Sequence, residues 1–197
     1  MKGIKKDAEG DLLESIRKGD EKAFCFIYNK YVDMLFCYGM KIIRNEKTVE
    51  EAIQILFTDF YLKRGTIAIQ KSVHSYLCVW LRRIIYKISY SNIELVDLKS
   101  ANLLGYQFGF EIDAETALIG IESRNEVQQR INNGLSKLLS PQQREVVYLK
   151  YYQNLSNIEI SRILGLNSQV VRNISCRALN KLREDFLRQS KVICNES

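Results

Sequence analysis

The residues whose types and spacing could do chemistry lie toward the C-terminus: Ser168, Gln169, Arg172, Asn173, Arg177 and Lys181. They form neither a nucleophile-and-base pair nor a metal-ligand cluster. What they offer is hydrogen bonding to nucleic-acid bases and neutralisation of phosphates. Arg grips guanine through two parallel hydrogen bonds, and Asn or Gln grips adenine the same way. On a helix lying in the major groove, the first residues meet base edges and later ones meet the backbone. Ser168, Gln169, Arg172 and Asn173 fit the first role, and Arg177 and Lys181 the second. The plainer alternative is a helical hairpin with a solvated basic face.

The flanking sequence must present that helix. Ser140 is expected to cap a helix, with Pro141 at its first position and Gln143 three residues after the cap. Val146, Val147, Leu149 and Tyr151 give this helix an apolar side, and Asn154 breaks the pattern. Ser156-Asn157-Ile158-Glu159 has the spacing of a capping box, in which hydroxyl and carboxylate satisfy each other's orphan backbone donors. Ile160, Ile163 and Leu164 form the inward stripe of this second helix. Gly165 is predicted to end it in the left-handed conformation that costs glycine least. Asn167 caps a third helix with apolar positions at Val170, Val171, Ile174, Ala178 and Leu182. Two short helices, a tight turn with glycine and a longer helix make a helix-turn-helix.

Composition bounds the rest. The chain has 197 residues, a hydrophobic content of 46% and a single proline, which fits a helical protein of one domain or two small ones. Residues 1–122 carry 17 basic and 17 acidic side chains, whereas residues 123–197 carry 12 and 6, so the net charge of +6 belongs to the C-terminal part. A basic domain beside a neutral one points to a polyanionic partner. No apolar run reaches membrane-spanning length, so membrane insertion is not expected. The N-terminus lacks the apolar core of a signal peptide. Cys25, Cys37, Cys78, Cys176 and Cys194 show no metal-type spacing, which predicts reduced thiols and a cytoplasmic location. With one histidine and no glycine-rich phosphate loop, no catalytic site, metal site or cofactor is expected.

Read in order, residues 1–10 suggest a flexible arm. A first helix is expected from Asp11, then a long amphipathic one over Glu21–Arg44, with Asp20 as its cap. Thr48–Arg64 is the next, with Ala52, Ile53, Leu56, Phe57 and Phe60 inward and Gln54, Asp59 and Lys63 outward. From Phe60 to Ile93 there is no acidic residue, and six basic ones, Lys63, Arg64, Lys71, Arg82, Arg83 and Lys87, are interleaved with Tyr76, Trp80, Tyr86 and Tyr90. Cations interleaved with aromatic rings suit single-stranded nucleic acid, since bases stack on rings while phosphates pair with cations. A helix over 72–89 with its aromatics in the core is the alternative. Residues 94–122 are acidic and are expected to be a linker. Helix resumes over Ser123–Leu139. The expected architecture is all-α: an N-terminal helical domain over 11–93, the acidic linker, and a C-terminal helix-turn-helix domain over 123–197.

Three stretches together resemble a bacterial RNA polymerase sigma factor of the extracytoplasmic-function group. Leu139-Ser140-Pro141-Gln142-Gln143-Arg144-Glu145-Val146, the Leu155-Ser156…Glu159-Ile160…Leu164-Gly165 run and Val171-Arg172-Asn173…Arg177-Ala178-Leu179 are similar to the family's promoter −35 domain. Asp11-Leu12-Leu13…Gly19-Asp20…Ala23-Phe24 resembles its opening helices, and Glu50-Glu51-Ala52-Ile53-Gln54 its polymerase-clamp helix. Ser72–Lys87 resembles the segment that melts and reads the −10 element.

That resemblance implies a sigma factor with core RNA polymerase, promoter DNA and an anti-sigma factor as partners. It places Gln54, Phe57 and Asp59 on the polymerase side and Tyr76, Trp80, Arg82, Arg83 and Lys87 on the melted −10 strand. It also gives the acidic linker a path through polymerase. The chain departs from the family where Ile55 replaces the usual acidic residue. In the register set by Tyr76-Leu77, Arg83 and Lys87 stand where Asn and Asp are usual; a register set by Trp80-Leu81 is also open. Ile174-Ser175 stands where a polar or basic residue followed by an apolar one is usual. A dimeric helix-turn-helix regulator that binds operator DNA without polymerase is the rival reading, and the mass of the isolated protein separates the two.

Overall fold

A computed structural model of the chain describes residues 4–67, 69, 72–89, 108–109, 132 and 134–195. All regular structure among the described residues is helical. The chain divides into two compact units, Met1–Leu103 and Leu104–Ser197.

The first unit holds α1 (Ile4–Arg17), α2 (Glu21–Ile42), α3 (Glu46–Leu62) and α4 (Val73–Ser89). Each boundary has a local cause. The Asp20 carboxylate accepts from the backbone N–H of Lys22 and Ala23, fixing the start of α2. Asn45 does the same for α3 through Thr48 N at 3.1 Å. Ser72 Oγ accepts from Ser75 N at 3.3 Å where α4 begins. The apolar stripes of α2, α3 and α4 meet in one core, with Ile27, Leu35, Tyr38, Leu56, Phe60, Leu77, Leu81 and Ile85 fully buried. The backbones come close at Gly39. A Cβ there would lie 2.7 Å from Val49 Cγ1 and 3.4 Å from Ile85 Cδ1, so only hydrogen fits between α2 and α3.

The expected arm over 1–10 is corrected over its described part: α1 starts at Ile4 and runs through Gly10. One glycine inside a helix costs about 1 kcal/mol, and here an anchor offsets it. The Tyr31 hydroxyl donates to Glu9 Oε1 at 2.7 Å and the Lys30 ammonium donates to the same oxygen, tying α1 to α2. Ile16 is buried beneath it.

The second unit holds a helical turn over 134–138, α5 (Pro141–Val147), a π-helical turn (Tyr148–Tyr152), α6 (Asn157–Leu164) and α7 (Ser168–Asn195). Its core is Leu135, Val146, Tyr148, Leu149, Ile160, Ile163, Leu164, Val171 and Ala178. The expected caps are present. Ser140 and Gln143 form one capping box and Ser156 and Glu159 another, the latter through bonds of 3.3 and 2.8 Å. Gly165 ends α6 at φ 65°, ψ 28°. The helix entered at Pro141 does not remain α-helical to Tyr151. After Val147 it widens into the π turn, with Gln153 N bonded to Tyr148 O five residues back, and Asn154 then turns the chain at φ 55°.

Most of the expected linker, 94–122, and of the expected helix over 123–139 lies outside the described residues. Within the linker stretch, Phe108 is fully buried with its ring 5.6 Å from that of Tyr148, so this residue belongs to the core of the second unit.

Candidate nucleic-acid interface

The helix-turn-helix is α6, the turn over 165–167 and α7. Val171, Ser175 and Ala178 face inward, which rotates the opposite side of α7 to solvent. Ser168, Gln169, Arg172, Asn173, Arg177 and Lys181 are all exposed on it. Asn167 Oδ1 accepts from Gln169 N at 2.8 Å, so the first turn is held in place. The Gln169 amide donates to Asn173 Oδ1 at 3.3 Å, aligning the two amide side chains one turn apart. The partial positive charge of the α7 N-terminus adds to Arg172 and Arg177 in favouring an anion. Lys181 is engaged at home, donating to Leu138 O at 3.3 Å across to the entry of α5. Val170, expected inward, is 43% exposed, because the buried stripe begins one residue later at Val171. It joins Cys176 as an uncharged member of the free face.

On α4 the structure separates residues that the sequence grouped. Arg83 and Lys87 are exposed on one side, four residues apart. Tyr76 and Trp80 are half-buried beside them, ring edge to ring face at 5.6 Å. Arg82 is fully buried, its guanidinium 5.0 Å from the Tyr86 ring centre. Its place on the expected strand-binding set is therefore corrected: consecutive helical residues point about 100° apart, and exposing Arg83 turns Arg82 into the core. Lys63, from the end of α3, joins the patch with its ammonium 5.9 Å from the Trp80 ring. The sequence set it in the same acid-free basic-aromatic stretch, and the fold brings it onto the Trp80 ring from the end of another helix. Burial pushes the Tyr76 phenol up despite Lys63 and Arg83, which keeps it protonated as a donor.

The third expected set lies where α2 meets α3. A groove of about 850 Å³ is lined by Phe24, Tyr28, Asp33, Gln54, Phe57 and Thr58 among others. Gln54 is exposed on its wall, and Phe57 is buried beneath, with the Tyr28 ring 4.7 Å away. Asp59 stands apart from the groove, paired with Lys63 at 3.0 Å. Exposed Phe26 and Leu62, 57% and 69% accessible, extend the apolar surface of the two helices.

No group of three or more metal-ligating side chains occurs among the described residues, and no described helix is long and apolar enough to cross a membrane.

The chain is similar to known proteins in sequence and in fold. Residues 137–184 match the family model for sigma-70 region 4. The chain is similar to the ECF RNA polymerase sigma factor SigW of Bacillus subtilis, 26% identical over 185 residues, covering 88% of this chain and 94% of that protein. It is also similar to the ECF RNA polymerase sigma factor BldN of Streptomyces coelicolor, 24% identical over 180 residues, covering 87% of this chain and 63% of that one. Its fold matches that of the sigma factor RpoE from Bartonella quintana, solved in complex with the anti-sigma factor NepR, at a TM-score of 0.55 and 16% identity over 84% of this chain and 97% of that one. A capped helix-turn-helix that matches region 4, and relatives similar over nearly the whole chain, lead to one conclusion: residues 137–184 form a sigma-70 region 4, and the chain as a whole is similar to sigma factors of the extracytoplasmic-function group.

Proposed function

We infer that the chain is a promoter-specificity subunit that joins core RNA polymerase and directs initiation at promoters with −10 and −35 elements. The observation that carries this is the exposed, capped, cation-bearing face of α7 within the region that matches sigma region 4. In this reading Ser168, Gln169, Arg172 and Asn173 meet base edges of the −35 duplex, and Arg177 meets a phosphate. Arg83, Lys87, Tyr76, Trp80 and Lys63 receive the unstacked −10 strand, rings against bases and cations against phosphates. The groove between α2 and α3, with Gln54 and Phe57, docks on polymerase. The protein works in the cytoplasm, brings no catalytic residues of its own, and is held inactive by an anti-sigma factor.

Run-off transcription with core polymerase from the native bacterium and pooled genomic fragments tests this. The expected result is a set of start sites that appears only when the protein is added. Absence of any such transcript, together with failure to co-purify with core enzyme and a dimeric footprint on a palindrome, would overturn it in favour of a free-standing regulator.

A further inference from the structure

Ser175 interrupts the buried stripe of α7 with a hydroxyl that is 1% exposed. Two side chains of the π turn meet it. Lys150 Nζ donates to Ser175 Oγ at 3.2 Å, and Tyr151 Oη lies 3.3 Å from the same oxygen. The Lys150 ammonium also sits 5.6 Å from the Tyr151 ring centre. In a regular α-helix consecutive side chains diverge by about 100°; across the π turn these two converge on one atom. π-helical insertions concentrate at functional sites.

A serine hydroxyl has one donor and two acceptor positions. Lys150 fills one acceptor position and keeps two of its three N–H groups. When the Ser175 hydroxyl donates to Tyr151 Oη, the Tyr151 hydroxyl is left with its own hydrogen to give outward. Tyr151 is 49% exposed and Lys150 half-buried, so both reach solvent. Ser175 lies three residues after Arg172, on the neighbouring flank of α7. The pair from the π turn therefore borders the side of the face that carries Arg172.

We propose that Ser175 is a positioning residue that fixes Lys150 and Tyr151 beside Arg172, where ammonium and phenol hold a DNA phosphate next to the bases α7 reads. This rests on the reading that α7 enters duplex DNA, and it adds a contact from outside the helix-turn-helix. The alternative is that Ser175 only satisfies its own buried hydroxyl.

The test uses the full chain and a short duplex that the wild-type chain selects from a random-sequence library, with affinity measured across salt concentration. Lys150→Ala is expected to weaken binding several-fold at low salt and to flatten the dependence of log K on log salt by about 0.9, the release of one phosphate's counterion. Tyr151→Phe, a surface change that removes only the hydroxyl, gives a smaller loss at the same melting temperature. Ser175→Ala lowers affinity like Lys150→Ala, and adds nothing in the Lys150→Ala background, as coupled residues do. A Ser175→Ala effect that is additive with Lys150→Ala, or Lys150→Ala and Tyr151→Phe variants that bind like wild type, would overturn the proposal. Arg172→Ala separates the two failures. If it weakens binding while the π-turn variants do not, only the positioning role falls; if it too binds like wild type, the reading of α7 falls and the proposal with it.

Discussion

Arg82 and Arg83 are neighbours with opposite fates, one fully buried over Tyr86 and one exposed beside Trp80. Removing the first should damage the fold, and removing the second should damage strand capture. Arg82→Ala is expected to cost about 2–3 kcal/mol of stability, as changes that break a buried polar arrangement do. Arg83→Ala should stay within about 0.5 kcal/mol of wild type, the usual range for a surface site, while weakening binding to a fork-shaped −10 DNA. Urea unfolding and fork-DNA anisotropy on both variants check this; equal loss of stability in the two would refute it. The sequence could not separate them, because both arginines follow the same aromatics and two registers of α4 remained open. The free face of α7 was legible, since Val171 and Ala178 fix its inward side and leave Ser168, Gln169, Arg172 and Asn173 only the outward one. Val170 was misplaced by one helical step.

Helix starts were legible because caps act through side chains that the sequence names: Asp20, Ser140 and Ser156 all bond the donors that their spacing predicts, whereas the cap at Asn45 was not read and its helix begins two residues before the expected Thr48. The start of α1 was hidden because its anchor is tertiary. That anchor also makes α1 sensitive to acid. Burial pushes the Glu9 carboxyl up, and the hydrogen bonds from Lys30 and Tyr31 more than reverse this, leaving it below its ordinary value. A carboxylate with a lowered folded pKa contributes stability that is present above its unfolded pKa and is lost as pH falls through the folded one. Hydrogen exchange in α1 should therefore accelerate as pH drops below about 4, relative to α3 as internal reference. Glu9→Gln should show faster α1 exchange already at neutral pH and no further acid step. A wild-type profile identical to that of Glu9→Gln would refute the link. The π turn was invisible for a different reason: Val146, Val147 and Leu149 satisfy a 3.6-residue period, and only the backbone bond from Gln153 N to Tyr148 O reveals the extra residue in the turn.

For the whole molecule, the two units carry different surfaces. The excess of cations lies after residue 122, with the helix-turn-helix, while the first unit offers an apolar groove and a smaller basic-aromatic patch. Polymerase capture and duplex binding should then be separable by mutation. Tyr28→Glu, which places a charge at the rim of the groove, is expected to reduce co-purification with core enzyme at least tenfold and to leave duplex affinity unchanged. Loss of both together would argue against this division of labour. The Gly39 contact carries a further consequence for descent. With Val49 Cγ1 only 2.7 Å from where a Cβ would stand, the two positions cannot drift independently. A lineage can enlarge residue 39 only after residue 49 has shrunk, so Gly39→Ala should be harmful alone and tolerated with Val49→Ala, and the order in which the two changes are acquired is constrained before selection on promoters begins.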